Sequence, residues 1–160
     1  MPLSSSDLRR EIDAYQTGIQ QKKASKSVLV IEDDAPMAEY LASIVDQALP
    51  GVEVVVVDTG EDARQEILRA HDVPWWGHQF DLIIIDVFLK GKLNGVDVWN
   101  LCRINFPNSH IIFTSSLSKE SYHRMLSDIY PIPPFLHKPF KREQCLRMIK
   151  EALGIENDPR

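Results

Sequence analysis

The fold of this chain is decided by one stretch, Phe80-Asp81-Leu82-Ile83-Ile84-Ile85-Asp86. Four apolar residues, three of them β-branched, follow one another without a polar residue between them and end at an acid. An unbroken apolar run is typical of a strand buried on both faces, as central strands of parallel sheets are. The stretch therefore predicts a central parallel strand with Asp86 at its carboxyl end, where open α/β sheets bind their ligands. On its own, Asp86 fits a solvated loop acid or a helix N-cap equally well.

Segments with the patterns of strands and helices alternate on both sides of this run. Strands are predicted at residues 27–31, 52–57, 111–116 and 135–137. Helices are predicted from Asp34 to Leu49, from Gly60 to Ala70, from the end of the glycine-rich loop 90–95 up to Pro107, from Lys119 to Ser127 and from Lys141 to Leu153. This alternation predicts an α/β fold, a doubly wound parallel sheet with right-handed crossovers and helices on both faces. In the second of these helices, Ala63, Ile67 and Leu68 are predicted to face the core.

An additional helix is predicted ahead of the alternating part, over residues 4–23. Its apolar residues are spaced by four, three and four positions and form a narrow seam: Leu8, Ile12, Tyr15 and Ile19. Such a seam fits packing onto its own domain and also pairing with a second copy, so a homodimer stays open. The predicted organisation is an N-terminal helical extension and linker (1–26), a main domain (27–153) and a polar C-terminal tail (154–160).

Composition and charge exclude several classes of function. The 160 residues, 44% hydrophobic and 26% charged, are typical of a globular protein with one ordinary domain. No apolar run reaches the ~20 residues that span a bilayer, and the start of the chain lacks a signal-peptide pattern, so we expect a cytoplasmic protein without membrane contact. The net charge of −5 argues against direct binding of nucleic acid. Cys102 and Cys145 lack metal-ligand spacing and are predicted to be buried free thiols.

The predicted topology brings five polar side chains to the carboxyl edge of the sheet: Glu32, Asp33, Asp86, Thr114 and Lys138. Three neighbouring carboxylates repel one another unless a cation joins them, and Mg²⁺ is a hard cation that prefers oxygen ligands. A lysine and a hydroxyl opposite that ion would complete a pocket for a small tetrahedral anion. An aspartate between a metal and a lysine is a suitable nucleophile towards a phosphoryl group.

These residues resemble the response-regulator receiver domain of two-component signalling. The matching pieces occur in the order of the family, at near-family spacing, over about residues 27–153. They are Val28-Leu29-Val30-Ile31-Glu32-Asp33-Asp34, Asp81-Leu82-Ile83-Ile84-Ile85-Asp86, Asn94-Gly95, Phe113-Thr114-Ser115 and Lys138-Pro139-Phe140. Each piece alone is weak, whereas all of them together on an alternating β/α frame are specific.

The resemblance implies a flavodoxin-like sheet of five strands in the order 2-1-3-4-5. It implies that Asp86 accepts a phosphoryl group from a histidine kinase or a phosphotransfer protein, without independent substrate turnover. The implied Mg²⁺ ligands are Glu32, Asp33, Asp86 and the main-chain carbonyl of Phe88.

The resemblance also implies a switch. Lys138 would pair with the phosphoryl oxygens next to a cis bond to Pro139. Thr114 would hydrogen-bond the phosphoryl group and move inward, and the aromatic residue Phe135 would follow. The surface that changes would be formed by the last strand and the last two helices, and it would contact a downstream protein target.

The chain departs from the common family pattern near the phosphoacceptor. Lys90 stands where the family usually has proline, and the loop to Asn94-Gly95 is one residue longer. Phe135 lacks the hydroxyl of a tyrosine. Phe88, two residues after Asp86, cannot orient an attacking water, and Ser116 is a weak helper. We therefore expect a long-lived acyl phosphate.

Two other functions stay open. One is a phosphorylation-independent adaptor that dimerises through the N-terminal helix. The other, less favoured, is an aspartate-nucleophile phosphatase of the haloacid dehalogenase type, which would carry a second acid where this chain has Phe88. With little sequence after Leu153, the favoured interpretation is a stand-alone signalling module whose output comes from protein contact, from relay to another histidine or from a domain outside this sequence.

Overall fold

The computed structural model of the protein describes residues 5–24, 26–71, 79–129 and 131–156; for residues 16–24 and 71 it describes the backbone alone. The elements are, in chain order, α1 (Ser5–Ala24), β1 (Ser27–Ile31), α2 (Ala35–Ala48), β2 (Glu53–Val57), α3 (Gly60–His71), β3 (Leu82–Asp86), α4 (Gly95–Asn105), β4 (His110–Ser115), α5 (Lys119–Met125), β5 (Phe135–His137) and α6 (Arg142–Leu153). The first residues of the predicted extension, 1–4, and the end of the predicted tail, 157–160, lie outside the described residues.

The five strands form one parallel sheet in the order β2-β1-β3-β4-β5, which confirms the predicted fold class. All residues of β1 and β3 are buried, whereas the edge strand β2 is partly exposed. The unbroken apolar runs therefore belong to the two strands that are covered on both faces. The register places Asp86, the last residue of β3, opposite Thr114 of β4.

Helices cover both faces of the sheet. On one face, α3, α4 and α5 pack against alternate strand residues that include Leu29, Ile83 and Phe113. On the other face, α2 and α6 pack against Val28, Ile84 and their neighbours. Alternate residues of each strand thus enter different cores, because successive side chains of a strand point to opposite faces.

Helix starts follow the capping residues of the sequence. The carboxylate of Asp34 accepts a hydrogen bond from the Met37 backbone N–H and caps α2, which has a proline in its first turn. Asn94 and Asp97 form a reciprocal capping box at the start of α4. These caps fix where the chain leaves the carboxyl edge of the sheet.

Two local predictions are wrong. Leu68 was expected in the core but is 40% exposed, because it lies about 100° around α3 from Ile67, which is fully buried with Ala63. The helix expected over residues 119–127 ends at Met125, where the fully buried Leu126 turns the chain into the core.

The N-terminal helix α1 confirms the prediction of a helix over residues 4–23 within the described range. Its seam is not buried where side chains are described: Leu8 is 48% exposed and Ile12 is 52% exposed. The side chain of Ile19 lies outside the described residues. Among the helices that the structure describes, none has the length and hydropathy needed to cross a membrane.

Both cysteines are free and buried, as predicted. Burial raises the pKa of the Cys102 thiol to about 12. Burial also raises the pKa of the Cys145 thiol to about 12, against a small opposing effect of Arg142. Both thiols are therefore protonated at neutral pH.

Candidate functional site

The carboxyl edge of the sheet carries the polar residues that the sequence predicted there. Glu32 and Asp33 follow β1, Asp86 ends β3, Thr114 lies in β4, and Lys138 follows β5. One carboxylate oxygen from each of the three acids lies within 4.8 Å of the others. The fold thus gathers three acids that are far apart in sequence into one cluster.

Lys138 links two of these acids. Its Nζ donates to Glu32 Oε2 at 2.7 Å and to Asp86 Oδ2 at 3.2 Å. Its backbone N–H donates to the Ser115 carbonyl oxygen, and the peptide bond to Pro139 is cis, as the resemblance implied. The side chain is only 18% exposed, so the ammonium lies inside the site rather than on its rim.

The pKa shifts in the site arise from burial and from the close approach of its charged groups. Burial raises the pKa of Glu32, and the charge of Asp86 adds to this, while hydrogen bonds from Lys138 and the Asp34 backbone only partly offset it. Burial alone would lower the pKa of Lys138, but the hydrogen bond to Glu32 and the charges of Asp86 and Glu32 raise it. One ammonium therefore faces more carboxylate charge than it neutralises.

This donor set fits a hard divalent cation. The three carboxylates provide oxygen ligands from two neighbouring strands, and Mg²⁺ binds through a small number of carboxylates together with waters and substrate oxygens. The Phe88 backbone N–H donates to Asp86 Oδ1 at 3.1 Å, which turns the chain after β3 back over the acid. The three carboxylates that the sequence assigned to metal binding therefore lie together.

Thr114 is fully buried, and its Oγ1 has no hydrogen-bond partner in the described part of the chain. Buried hydroxyl groups almost always have a partner, because an unpaired one loses its hydrogen bond to water. The register places this residue beside Asp86. The hydroxyl is therefore available to an additional oxygen at the site.

Phe135 packs against the core on the face of the sheet that α3, α4 and α5 cover. Its ring stacks on that of Tyr122, with centroids 4.2 Å apart and an interplanar angle of 13°. Tyr122 is fully buried, and its hydroxyl donates to the Pro133 carbonyl oxygen at 2.7 Å. Sequence reasoning did not find Tyr122, since it lies in a helix of seven residues that shows too few turns for a periodic pattern.

The loop after Asp86 requires glycine at its end. The Gly95 backbone N–H donates to the Val87 carbonyl oxygen at 3.0 Å, and a Cβ at this position would overlap the Asp86 carbonyl oxygen. Phe88 is 55% exposed at the mouth of the site. Lys90 extends from the same loop to within 3.9 Å of Asp33 Oδ2, an ion pair that the sequence did not indicate.

The fold and the chain are similar to known proteins. A response regulator receiver protein from Sinorhizobium medicae is 21% identical, with a TM-score of 0.67, over 82% of this chain and 96% of that one. The BeF3-activated receiver domain of DrrB, a Thermotoga maritima protein, is 21% identical, with a TM-score of 0.65, over 81% and 98% of the two chains. A CheY-like receiver domain from Methanospirillum hungatei is 18% identical, with a TM-score of 0.66, over 82% and 95%. At these identities the similarity establishes the fold alone.

The sequence itself provides the assignment. The family model described as the response regulator receiver domain matches residues 28–150, which include all the clustered polar residues. This match agrees with the sheet order and with the motifs at the strand ends. The chain therefore belongs to the response regulator receiver domain family, the phosphoacceptor modules of two-component signalling.

Proposed function

We propose that Asp86 accepts a phosphoryl group from a histidine kinase or a phosphotransfer protein and that the protein then changes its contacts with a downstream protein target. One observation carries this proposal. Asp86 ends the central strand beside the half-buried Lys138 and two further carboxylates, so a nucleophilic carboxylate lies next to both an ammonium group and a cluster of acids that could hold a metal ion. Phosphoryl transfer depends mainly on positioning and charge neutralisation, and this arrangement provides both.

Glu32, Asp33, Asp86 and the main-chain carbonyl of Phe88 would hold Mg²⁺. Bound there, the ion would neutralise charge on the phosphoryl oxygens and on the acids. Two observations support this assignment. The three carboxylates lie together, and the pKa of Glu32 is raised, which a bound divalent cation would lower.

In the transfer, a bond forms between a carboxylate oxygen of Asp86 and phosphorus. The bond from phosphorus to the donor histidine nitrogen breaks, and its electron pair stays on that nitrogen. Lys138 is within hydrogen-bond distance of Asp86 Oδ2, so its ammonium can move to a phosphoryl oxygen without leaving the site. The unpartnered Thr114 hydroxyl can donate to another phosphoryl oxygen.

The response would begin at Thr114 and pass to the face formed by α5, β5 and α6. Thr114 pairs in register with Leu136, the neighbour of Phe135 in β5. Movement of Thr114 towards a phosphoryl oxygen would therefore shift β5 and the Phe135 ring that stacks on Tyr122. This face would be the surface that the downstream target distinguishes.

The proposal is tested by exposing the protein to acetyl phosphate, and separately to beryllofluoride, with and without Mg²⁺. Intact mass should show one added phosphoryl group that requires both Mg²⁺ and Asp86, so the Asp86→Asn variant should remain unmodified. Asp128→Asn is the matched control, because it removes the same charge from an exposed position. Equal phosphorylation of Asp86→Asn and wild type would contradict the assignment of Asp86.

A second candidate is the adaptor that dimerises through α1, and the half-exposed Leu8 and Ile12 favour it. Light scattering after size-exclusion chromatography tests this candidate on the full chain. A dimer that is lost in a Leu8→Ser, Ile12→Ser double variant, and that forms equally with Asp86→Asn, would support it. A monomer at all concentrations would exclude it.

A further inference from the structure

A side chain outside the acidic cluster holds the loop that follows Asp86. Glu61 lies in the first turn of α3 and is half-buried. Its Oε1 accepts hydrogen bonds from the backbone N–H groups of Lys92 at 2.7 Å and Leu93 at 3.2 Å. These contacts join residues 31 and 32 positions apart, so they fasten the loop to a different helix. We call this arrangement the Glu61 latch.

A glycine lies on each side of the Glu61 latch, Gly91 in the loop and Gly60 at the start of α3. Gly91 has a φ of +102°, and a Cβ there would lie 2.6 Å from Glu61 Oε2. On the α3 side, a Cβ at Gly60 would overlap the Leu93 carbonyl oxygen. The loop and the start of α3 therefore approach more closely than a side chain at Gly60 would allow, and the positive φ at Gly91 favours glycine there.

Electrostatics agrees with this geometry. The N–H groups of Lys92 and of Glu61 itself, followed by that of Leu93, hold the pKa of the Glu61 carboxyl below its ordinary value. The carboxylate is therefore charged at neutral pH and accepts both loop hydrogen bonds. A single oxygen accepts both, so the amide oxygen of a glutamine could replace it.

The latch restrains the part of the loop that is otherwise exposed. Near Asp86 the loop is fixed by the Phe88 N–H to Asp86 Oδ1 bond and by the buried Leu89. Beyond Leu89 the loop passes through Lys90, which stands where the family usually has proline and has more backbone freedom than proline. The side chain of Lys90 pairs with Asp33. Without the latch, the residues between Leu89 and Asn94 would lose two of the backbone hydrogen bonds that define their path.

We infer that Glu61 is a positioning residue of the phosphoacceptor site, which fixes the far end of the loop that bears Phe88 and Lys90 and so tightens the Mg²⁺ dependence of phosphorylation. This inference rests on the proposed function, because the loop matters only if the Phe88 carbonyl and the acids hold Mg²⁺. Partners that orient metal ligands from outside typically change metal affinity by about 10- to 100-fold when they are removed. We expect the lower end of this range here, since the latch acts through the backbone.

The test uses the full chain as wild type, Glu61→Ala, Glu61→Gln and Glu66→Ala. Glu66 is the matched control, because it lies on the same helix and its carboxylate pairs with Arg69. Two quantities are measured: amide hydrogen exchange at Lys92 and Leu93 in the unphosphorylated protein, and the Mg²⁺ concentration for half-maximal phosphorylation by acetyl phosphate.

Glu61→Ala should accelerate exchange at both amides and raise the Mg²⁺ midpoint by about tenfold. Glu61→Gln should restore both quantities towards wild type, which a general loss of stability would not explain. If Glu61→Ala and Glu66→Ala share the wild-type midpoint, the inference is overturned while the proposed function stands. If wild type itself takes up no phosphoryl group, the proposed function fails and this inference fails with it.

Discussion

The ends of β3 and β4 lie side by side, yet they differ in how completely their polar groups are satisfied. At the end of β3, Asp86 accepts hydrogen bonds on both oxygens, from Phe88 and from Lys138, and its loop is held by Glu61. At the end of β4, the buried hydroxyl of Thr114 has no partner within the described ranges. The Asp86 carboxylate thus has hydrogen-bond partners from the chain itself, whereas the Thr114 hydroxyl has none among the described residues. A buried donor in this condition gains a full hydrogen bond when a ligand arrives.

The largest effect on the free energy of unfolding is expected when Lys138, which pairs with Glu32 and Asp86, is replaced. Lys138→Met leaves Glu32 and Asp86 close together without their cation, and loss of one partner from such a buried group costs about 3 kcal/mol. Urea unfolding without Mg²⁺ should show this loss, and added Mg²⁺ should restore much of it by binding the folded acids. Lys26→Met, which removes an exposed ion pair with Asp81, should cost less than about 1 kcal/mol. Equal losses of stability in the two variants would contradict the role of Lys138 in pairing with the buried acids Glu32 and Asp86.

The mouth of the site should control how long the phosphoryl group survives. Phe88 is apolar and cannot orient a water, so we expect the isolated protein to dephosphorylate slowly. Phe88→Asn adds a group that can hydrogen-bond water and should speed hydrolysis about tenfold, which is a modest gain for better positioning. The decay of phosphorylated protein is followed by intact mass, with Ile104→Asn as a control at another exposed apolar position, on α4. Complete hydrolysis of the wild type within seconds would refute this expectation.

The next prediction tests the unpaired hydroxyl of Thr114 by removing it. Thr114→Val keeps the shape of the side chain and removes an unpaired buried group, so it should stabilise the unphosphorylated protein by about 1 kcal/mol. The same variant should weaken the conformational response to beryllofluoride. Thr59→Val should have the opposite sign and destabilise by about 1 kcal/mol, because Thr59 Oγ1 accepts from the Asp62 N–H and caps α3. A destabilised Thr114→Val would mean that the hydroxyl already has a partner.

The smallest effect concerns the contact behind Phe135. Tyr122→Phe keeps the ring stack but removes the hydrogen bond to the Pro133 carbonyl oxygen, which should cost somewhat less than about 1 kcal/mol. Denaturant unfolding measures this cost. Tyr40→Phe is the matched control, because the ring contacts of Tyr40 with Phe140 and Arg142 do not involve its hydroxyl. A stability loss confined to Tyr122→Phe would show that Tyr122 anchors the segment before β5.

The sequence predicted the parts of the molecule that have local signatures. The unbroken apolar runs of β1 and β3 indicated the central strands, and Asp34 indicated where α2 starts. The clustered acids followed from the topology, because parallel strands end at the same edge.

The contacts that were missed have no local signature. Glu61 is one of several acids in a helical first turn, and its partners lie more than 30 residues away on the path of a loop. The stack of Tyr122 on Phe135 depends on where a helix of seven residues ends. The prediction that Leu68 faces the core is wrong, because an apolar stripe on a helix does not show which of its residues lies at the edge of the buried face. Such contacts depend on tertiary geometry, which periodicity does not encode.

The two buried thiols make this protein convenient for site-specific labelling. Maleimides react with the thiolate, and a pKa of about 12 leaves Cys102 and Cys145 almost entirely unreactive at neutral pH. A single cysteine introduced by Ile104→Cys, at a position that is 79% exposed, would therefore take up a fluorophore or spin label in the native background. Changes on phosphorylation could then be followed by spectroscopy without replacing either natural cysteine.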